Sequence, residues 1–249
     1  LVHFVIGRYG NYKATQLLGS TLSTPIQQLS IVLALVLAVG FLGETVNLMN
    51  IIGIALVIVG PMIVVRRKKA VAQVGTKKEF IPNYRPGLFW GAVCAFGYGT
   101  SPLFVALGIG DGGIADSVGG LLVSYVSATI VVILWVIAAR QTGAVSGLDR
   151  STRGWFLLSA LFVALSQFFR YVALAVAPVT VVVPIQRLSV VFRLIFNAIL
   201  NREHEVFDRW VVSSILLSVV GAVALAGDTP TLLGWLGFEN QNWLARPLF

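Results

Sequence analysis

Three arginines lie deep within long apolar stretches of this sequence: Arg170, Arg187 and Arg193. An ionised side chain at the centre of a membrane helix costs about 2.5–3.5 kcal/mol on insertion scales, so each one is a candidate for function. Extension of the side chain to the membrane surface is the structural alternative, and it fits Arg170 and Arg193 more easily than Arg187. We therefore expect Arg187 to line a cavity.

Polar side chains accompany these arginines at helical spacing. Gln186, Ser189 and Arg193 are separated by three and four residues, so they share one helix face. Hydrogen bonding between helices is the alternative explanation for such a stripe, and it stays open. The complete predicted substrate pathway is Tyr12, Gln27, Ser30, Tyr98, Gln167, Arg170, Tyr171, Gln186, Arg187, Ser189 and Arg193.

Two prolines lie a few residues inside apolar stretches, at Pro25 and Pro184. A proline there lacks an N–H donor and frees a carbonyl one turn earlier, which is tolerated beside a cavity. We predict a helix break at both positions, although a kink that serves packing explains them as well. Glu44 and Glu203 lie at the ends of apolar stretches. We interpret them as solvated turn residues, which is a simpler explanation than a binding site for a coupling ion.

The composition identifies the solvent of these stretches as lipid. Hydrophobic types make up 57% of the 249 residues and charged types 11%, with a mean hydropathy of +0.88. A soluble domain carries about 25% charged residues. The net charge of +8 is concentrated in the stretch from Arg66 to Arg85, which the positive-inside rule explains better than a nucleic-acid partner.

The motifs of enzymes and nucleotide-driven pumps are missing from the sequence. The single cysteine, Cys94, and the two histidines, His3 and His204, form no metal-binding pattern. There is no HExxH, GxSxG or phosphate-binding glycine loop. We therefore expect no metal, no cofactor and no enzymatic activity.

The apolar runs predict an all-α, polytopic membrane helix bundle, since a membrane helix needs about 20 apolar residues. We divide the chain into helices over 1–65, a basic linker over 66–86, helices over 87–226, and an interfacial or loose tail over 227–249. Charge asymmetry places the linker in the cytoplasm and the tail outside. The eight predicted segments are 1–18, 19–41, 46–65, 87–109, 114–139, 154–177, 179–200 and 207–226.

An internal repeat organises these segments. Tyr12–Leu35 and Tyr171–Leu194 share ten identities over 24 positions at an offset of 159, including a Pro-Ile-Gln-x-Leu-Ser core. The chain crosses the membrane five times between the copies, an odd number, so the copies face opposite ways. Inverted repeats are the recurrent plan of secondary transporters. On this reading the second copy has five spans and the first has its last three, and we expect two further spans before Leu1, ten in all.

The repeated unit has five spans. In the first copy the proline-containing fourth span ends in Phe41-Leu42-Gly43-Glu44, and the fifth span contains Gly53 and Gly60. This arrangement resembles the EamA-like branch of the drug/metabolite transporter superfamily. The second copy departs from it, with Asn201-Arg202-Glu203 at the turn. The resemblance implies a multi-pass cell-membrane protein that transports small organic metabolites or drugs, with both termini in the cytoplasm. That orientation disagrees with the charge count. Homodimers also occur in this superfamily.

We therefore expect a secondary transporter that works by alternating access, with export as the favoured direction. An integral-membrane enzyme and a non-transporting sensor or assembly partner are the alternatives. The second copy has arginines where the first has Asn11, Gln28 and Ala34. This asymmetry leads to the hypothesis that the second half offers positive charge to an anionic group on the substrate, such as a carboxylate or phosphate.

Overall fold

The computed structural model describes residues 1–66, 82–110, 112–141, 143, 147–187, 189–200, 209–226 and 247. These residues form helices joined by short connections, with no strand among them beyond one isolated bridge between Asn47 and Pro247. The all-α helix bundle is confirmed. The helices are a π-helical segment (Val2–Gly7), α1 (Arg8–Leu18), α2 (Ser20–Leu42), α3 (Leu48–Arg66), α4 (Tyr84–Ile109), α5 (Gly113–Ala138), α6 (Arg150–Val176), α7 (Val179–Arg187), α8 (Ser189–Leu200) and α9 (Arg209–Ala226).

Four of the described helices are long and apolar enough to cross a membrane. They are the Leu22–Leu42 part of α2, together with α4, α5 and α6, and shorter apolar helices cover Leu48–Val59 and Val212–Leu225. Most side chains of α5 and α6 are exposed and apolar, which suits contact with lipid. Most of the basic linker and of the 227–249 tail, with Glu203, lies outside the described residues.

The predicted helix breaks at Pro25 and Pro184 are wrong, because helix continues through both residues. Pro25 lies inside α2 and Pro184 inside α7. Each is the sixth residue of its helix, so the missing N–H removes one bond near the first turn and leaves the later ladder intact. The predicted segment 179–200 is described as α7 and α8, on either side of residue 188.

Helix ends follow local sequence signals. Gly43 ends α2 in the left-handed conformation, at φ 66°, which a glycine adopts without steric cost. At the start of α6, Asp149 accepts hydrogen bonds from the hydroxyl and the backbone N–H of Thr152. These bonds favour the ionised carboxylate and lower the pKa of Asp149.

Glycines allow the helices to approach closely. A β-carbon at Gly10 of α1 would lie 2.8 Å from the backbone nitrogen of Cys94 in α4. At a second crossing, a β-carbon at Gly53 of α3 would lie 2.8 Å from the carbonyl oxygen of Gly221 in α9. Small residues at crossings are the usual means of helix association in membranes, where lipid removes the hydrophobic drive.

The two Pro-Ile-Gln segments run past each other in opposite directions. Glu44, just after α2, contacts Val179 at the start of α7, whereas Gln27 near the start of α2 contacts Arg193 in α8. The beginning of one segment therefore lies beside the end of the other. This is the relation that an inverted repeat requires, and α3 and α9, the fifth spans of the two predicted copies, also pack on each other.

Candidate substrate cavity

A cavity of about 520 Å³ lies where the beginning of the chain meets α4, α6, α7 and α8. It therefore lies between the two predicted copies. Its size falls within the range of small-molecule sites, about 300–1,000 Å³. Its walls combine apolar side chains with a few polar ones. The described lining residues are His3, Arg8, Tyr98, Pro102, Ser166, Gln167, Phe169, Arg170, Ala173, Val176, Ala177, Val181, Val182, Val183, Ile185, Gln186, Arg187 and Ser189.

Arg170 is held by three side chains from three elements. Its Nη1 lies 3.2 Å from Nδ1 of His3 and donates to Oε1 of Gln167 at 3.1 Å, and its Nη2 donates to Oγ of Ser101 at 2.9 Å. Because a guanidinium can only donate, Nδ1 of His3 accepts and the ring carries its proton on Nε2. The buried charge of Arg170 is thus fixed by neutral acceptors, and it does not extend to the membrane surface.

The π-helical segment explains why His3 and Arg8 share the cavity. The backbone N–H of Arg8 donates to the carbonyl of His3, five residues earlier. Residues bonded at this separation are stacked along the helix, so both side chains reach the same space. Neither residue belongs to the predicted pathway. The cost of a charge inside an apolar segment, which singled out the three arginines of the second half, applies to Arg8 equally.

Arg187 lies over an aromatic ring at the cavity wall. Its guanidinium carbon is 5.2 Å from the ring centre of Tyr98, and the Tyr98 ring also contacts His3, with 4.7 Å between ring centres. The Nε atoms of Arg187 and Arg8 are both buried, and neither has a hydrogen-bond partner. Such orphaned buried donors are uncommon in folded proteins. The cavity wall therefore contains hydrogen-bond donors that the described protein does not use.

A second polar network ties α1, α2 and α8 together beside the cavity. Nε2 of Gln27 donates to Oδ1 of Asn11 at 2.8 Å, and Oε1 of Gln27 accepts from Nη1 of Arg193 at 3.2 Å. The Asn11 side chain continues toward the Tyr98 hydroxyl at 3.4 Å. Ser30 donates to the carbonyl of Gln27 and is fully buried. Gln27 and Arg193 thus form a link between helices beside the cavity wall, whereas the hydrogen bond of Ser30 stays within α2.

The structure brings Tyr98, Gln167, Arg170, Gln186, Arg187 and Ser189 of the predicted pathway to the cavity. It does not bring Tyr12 there, because this side chain is 62% exposed on the outside of α1. Tyr171 is buried elsewhere and donates its hydroxyl proton to Ser124 of α5 at 2.9 Å. The role of each residue in transport stays a prediction.

Glu44 occupies a position that the sequence did not indicate. Its two carboxylate oxygens accept hydrogen bonds from the backbone N–H groups of Val179 and Thr180, at 2.7 and 2.8 Å. These N–H groups at the start of α7 have no partner within the helix. The residue thus caps a helix of the other predicted copy, and it is more than a solvated turn residue.

Within the part of the chain that the structure describes, no group of three or more His, Cys, Asp or Glu side chains is placed to hold a metal ion. Cys94 is a buried, free thiol. Among the described lining residues there is also no acidic side chain. The chemistry available to a ligand is therefore positive charge, hydrogen bonding by neutral hydroxyl and amide groups, aromatic surface and apolar contact.

Comparison with known sequences agrees with this architecture. Residues 1–66 match the model of the EamA-like transporter family, which is part of the drug/metabolite transporter superfamily. The match covers the π-helical segment and α1 to α3, so it includes Arg8 and Gln27. No curated protein matches the chain. The predicted resemblance is confirmed over residues 1–66, and this match together with the apolar helices identifies a multi-pass membrane protein.

Proposed function

We propose that this chain, whose first 66 residues match a family of membrane transporters, is a secondary transporter that exports small organic molecules across the cell membrane by alternating access. The observation that carries the proposal is the cavity itself. Residues of the first predicted copy, His3 and Arg8, line it together with residues of the second. Secondary transporters place the substrate at the interface between their repeats.

The antiparallel contact between α2 and the α7–α8 pair supports alternating access. Two related halves that pack in opposite directions can exchange roles when one rocks against the other, which exposes a shared site to each side in turn. The polar links between them, from Glu44 to α7 and from Gln27 to Arg193, lie near opposite ends of α2. We propose that these two links open alternately during transport.

The test is solute flux in proteoliposomes. The chain is reconstituted into liposomes that are loaded with a mixture of labelled amino acids, organic acids and aromatic metabolites. Efflux is followed with and without a proton gradient. We expect at least one solute to leave these liposomes faster than it leaves loaded liposomes without protein.

Filling the cavity should stop this flux. Ala173 lines the cavity from α6, whereas Ala160 of the same helix is exposed on its outer surface. Ala173→Trp should abolish efflux, and the matched variant Ala160→Trp should retain it. Equal flux through both variants, or no flux of any solute through the parent chain, would contradict the proposal.

A further inference from the structure

The cavity contains more positive charge than its own contacts use. Arg8, Arg170 and Arg187 line it together, and no Asp or Glu is found among its described lining residues. Burying a charge without a counter-charge is unfavourable by several kcal/mol, and sites that retain such charges bind something that compensates them. The three arginines therefore define a site for negative charge.

The hydrogen bonds separate these arginines into two roles. Arg170 is occupied, since Nη1 and Nη2 contact His3, Gln167 and Ser101. Arg8 and Arg187 each have a buried Nε without a partner. Their guanidinium groups contact the faces of aromatic rings, Phe4 at 5.7 Å and Tyr98 at 5.2 Å, and ring contact leaves N–H groups unused. Arg8 and Arg187 are thus the pair with donors to offer.

The other walls determine the rest of the ligand. Phe169, Ala173 and Val176 of α6 and Val181 and Val182 of α7 present apolar surface to the same cavity. Apolar walls with a few placed polar groups select a ligand by its shape and orient it by its charge. An inorganic anion alone would leave this surface uncovered.

We infer that the cavity binds a small organic carboxylate, with the carboxylate oxygens between Arg8 and Arg187 and an apolar body against α6 and α7. The inference rests on the proposed function and names the substrate class of that same site. Guanidinium groups match a carboxylate with parallel hydrogen bonds. Arg170 is a positioning residue, which holds His3, and with it the wall beside Tyr98.

Binding is tested with benzoate, which combines a carboxylate with an apolar ring. Thermal unfolding of the purified full chain in a neutral detergent is followed with benzoate, with neutral benzamide, and with inorganic phosphate. We expect benzoate to raise the unfolding temperature saturably, and benzamide and phosphate at the same concentrations to have no effect. The inference would be overturned if all three compounds stabilise the chain equally, if only phosphate stabilises it, or if none does.

Variants assign the effect to the two arginines. Arg8→Gln and Arg187→Gln should each weaken benzoate binding about tenfold or more, because a hydrogen bond to a charged group is lost. Lys13→Gln removes one charge from the same helix as Arg8, outside the cavity lining, and should leave binding unchanged. Arg187→Lys retains the charge without the fork and should bind with intermediate affinity, which keeps the test valid if a glutamine variant fails to fold. Parent-like affinity in the folded Arg187 variants would refute the assignment.

A lipid headgroup presents a similar anionic group, so its contribution is measured separately. Benzoate binding is compared in nanodiscs of phosphatidylcholine and in nanodiscs that also contain phosphatidylglycerol. Equal affinity in both supports a soluble organic anion. Loss of benzoate binding in the anionic nanodiscs would overturn the inference in favour of a lipid site.

Failure of this inference is distinguishable from failure of the proposed function. If other solutes are transported, Ala173→Trp blocks their flux and benzoate does not bind, the carboxylate site is refuted and the proposed transport function is still supported. Saturable benzoate binding that depends on Arg187, without flux of any solute, would support the site and refute transport.

Discussion

The carboxylate of Glu44 accepts a hydrogen bond from the backbone N–H of Val179 at 2.7 Å, across 135 positions of the chain. The second oxygen accepts from Thr180 at 2.8 Å. A negative charge at a helix N-terminus also interacts favourably with the helix dipole. One turn residue of the first predicted copy thereby stabilises the fourth span of the second, so the two halves depend on each other.

Replacing Glu44 should destabilise the chain measurably. Glu44→Ala leaves two N–H groups of α7 without their acceptors, and loss of a helix cap costs about 0.5–2 kcal/mol. Glu44→Gln retains one acceptor oxygen and should lie between Glu44→Ala and the parent chain. Thermal unfolding in detergent measures both. Asp116→Asn removes an exposed carboxylate from the first turn of α5, so it serves as the control for the loss of charge at a helix start. An equal or larger loss there would show that the hydrogen bonds of Glu44 add nothing beyond its charge.

The crossing of α3 and α9 should not tolerate even one methyl group. A β-carbon at Gly221 would lie 2.7 Å from the carbonyl oxygen of Gly53, and a backbone atom cannot move aside without shifting the helix. We expect Gly221→Ala to lower the free energy of unfolding by about 1–3 kcal/mol. Gly119→Ala in α5 meets nothing within 4 Å and should be neutral or slightly stabilising. Similar unfolding temperatures for the two variants would show that the helices do not pack this closely.

The helices were predictable because bilayer thickness imposes their length. The predicted segments 19–41 and 207–226 correspond to α2, Ser20–Leu42, and α9, Arg209–Ala226. The breaks at the two prolines were wrong because each proline is only the sixth residue of its helix, and the sequence does not show where each helix begins. A proline in the second turn removes few bonds.

The cavity was only partly predictable, because periodicity assigns residues to a face of a helix without saying what that face meets. Gln167 and Arg170 reach the cavity, whereas Tyr171 is directed toward Ser124 on α5. The contact between His3 and Arg170 joins residues 167 positions apart, which no local pattern encodes. Arg8 reaches the cavity beside His3 because the turn before it is π-helical, and hydropathy does not distinguish a π-turn from an α-turn.

The Gln27 side chain should couple energetically to Arg193. It accepts from Arg193 and donates to Asn11, so Gln27→Leu removes one hydrogen bond from each of these half-buried partners. We expect a double-mutant cycle of Gln27→Leu with Arg193→Gln to give a coupling of about 0.6–2 kcal/mol. Unfolding temperatures of the two single variants and the double variant measure it. Lys13→Gln combined with Arg193→Gln should be additive, and additivity in the Gln27 cycle as well would show that the two side chains do not interact.

Arg170 should respond to mutation differently from Arg187, although both line the cavity. Arg170→Lys keeps the positive charge but cannot reach His3, Gln167 and Ser101 together, because an ammonium lacks the planar fork of a guanidinium. Arg170→Lys should therefore lower the free energy of unfolding by about 1–3 kcal/mol. The affinity of the folded fraction for benzoate should fall less than in Arg187→Lys. Unfolding temperatures and benzoate titrations of the two lysine variants, measured side by side, test this division. A larger fall in benzoate affinity in Arg170→Lys, with unchanged stability, would assign Arg170 to the ligand and contradict its role as a positioning residue.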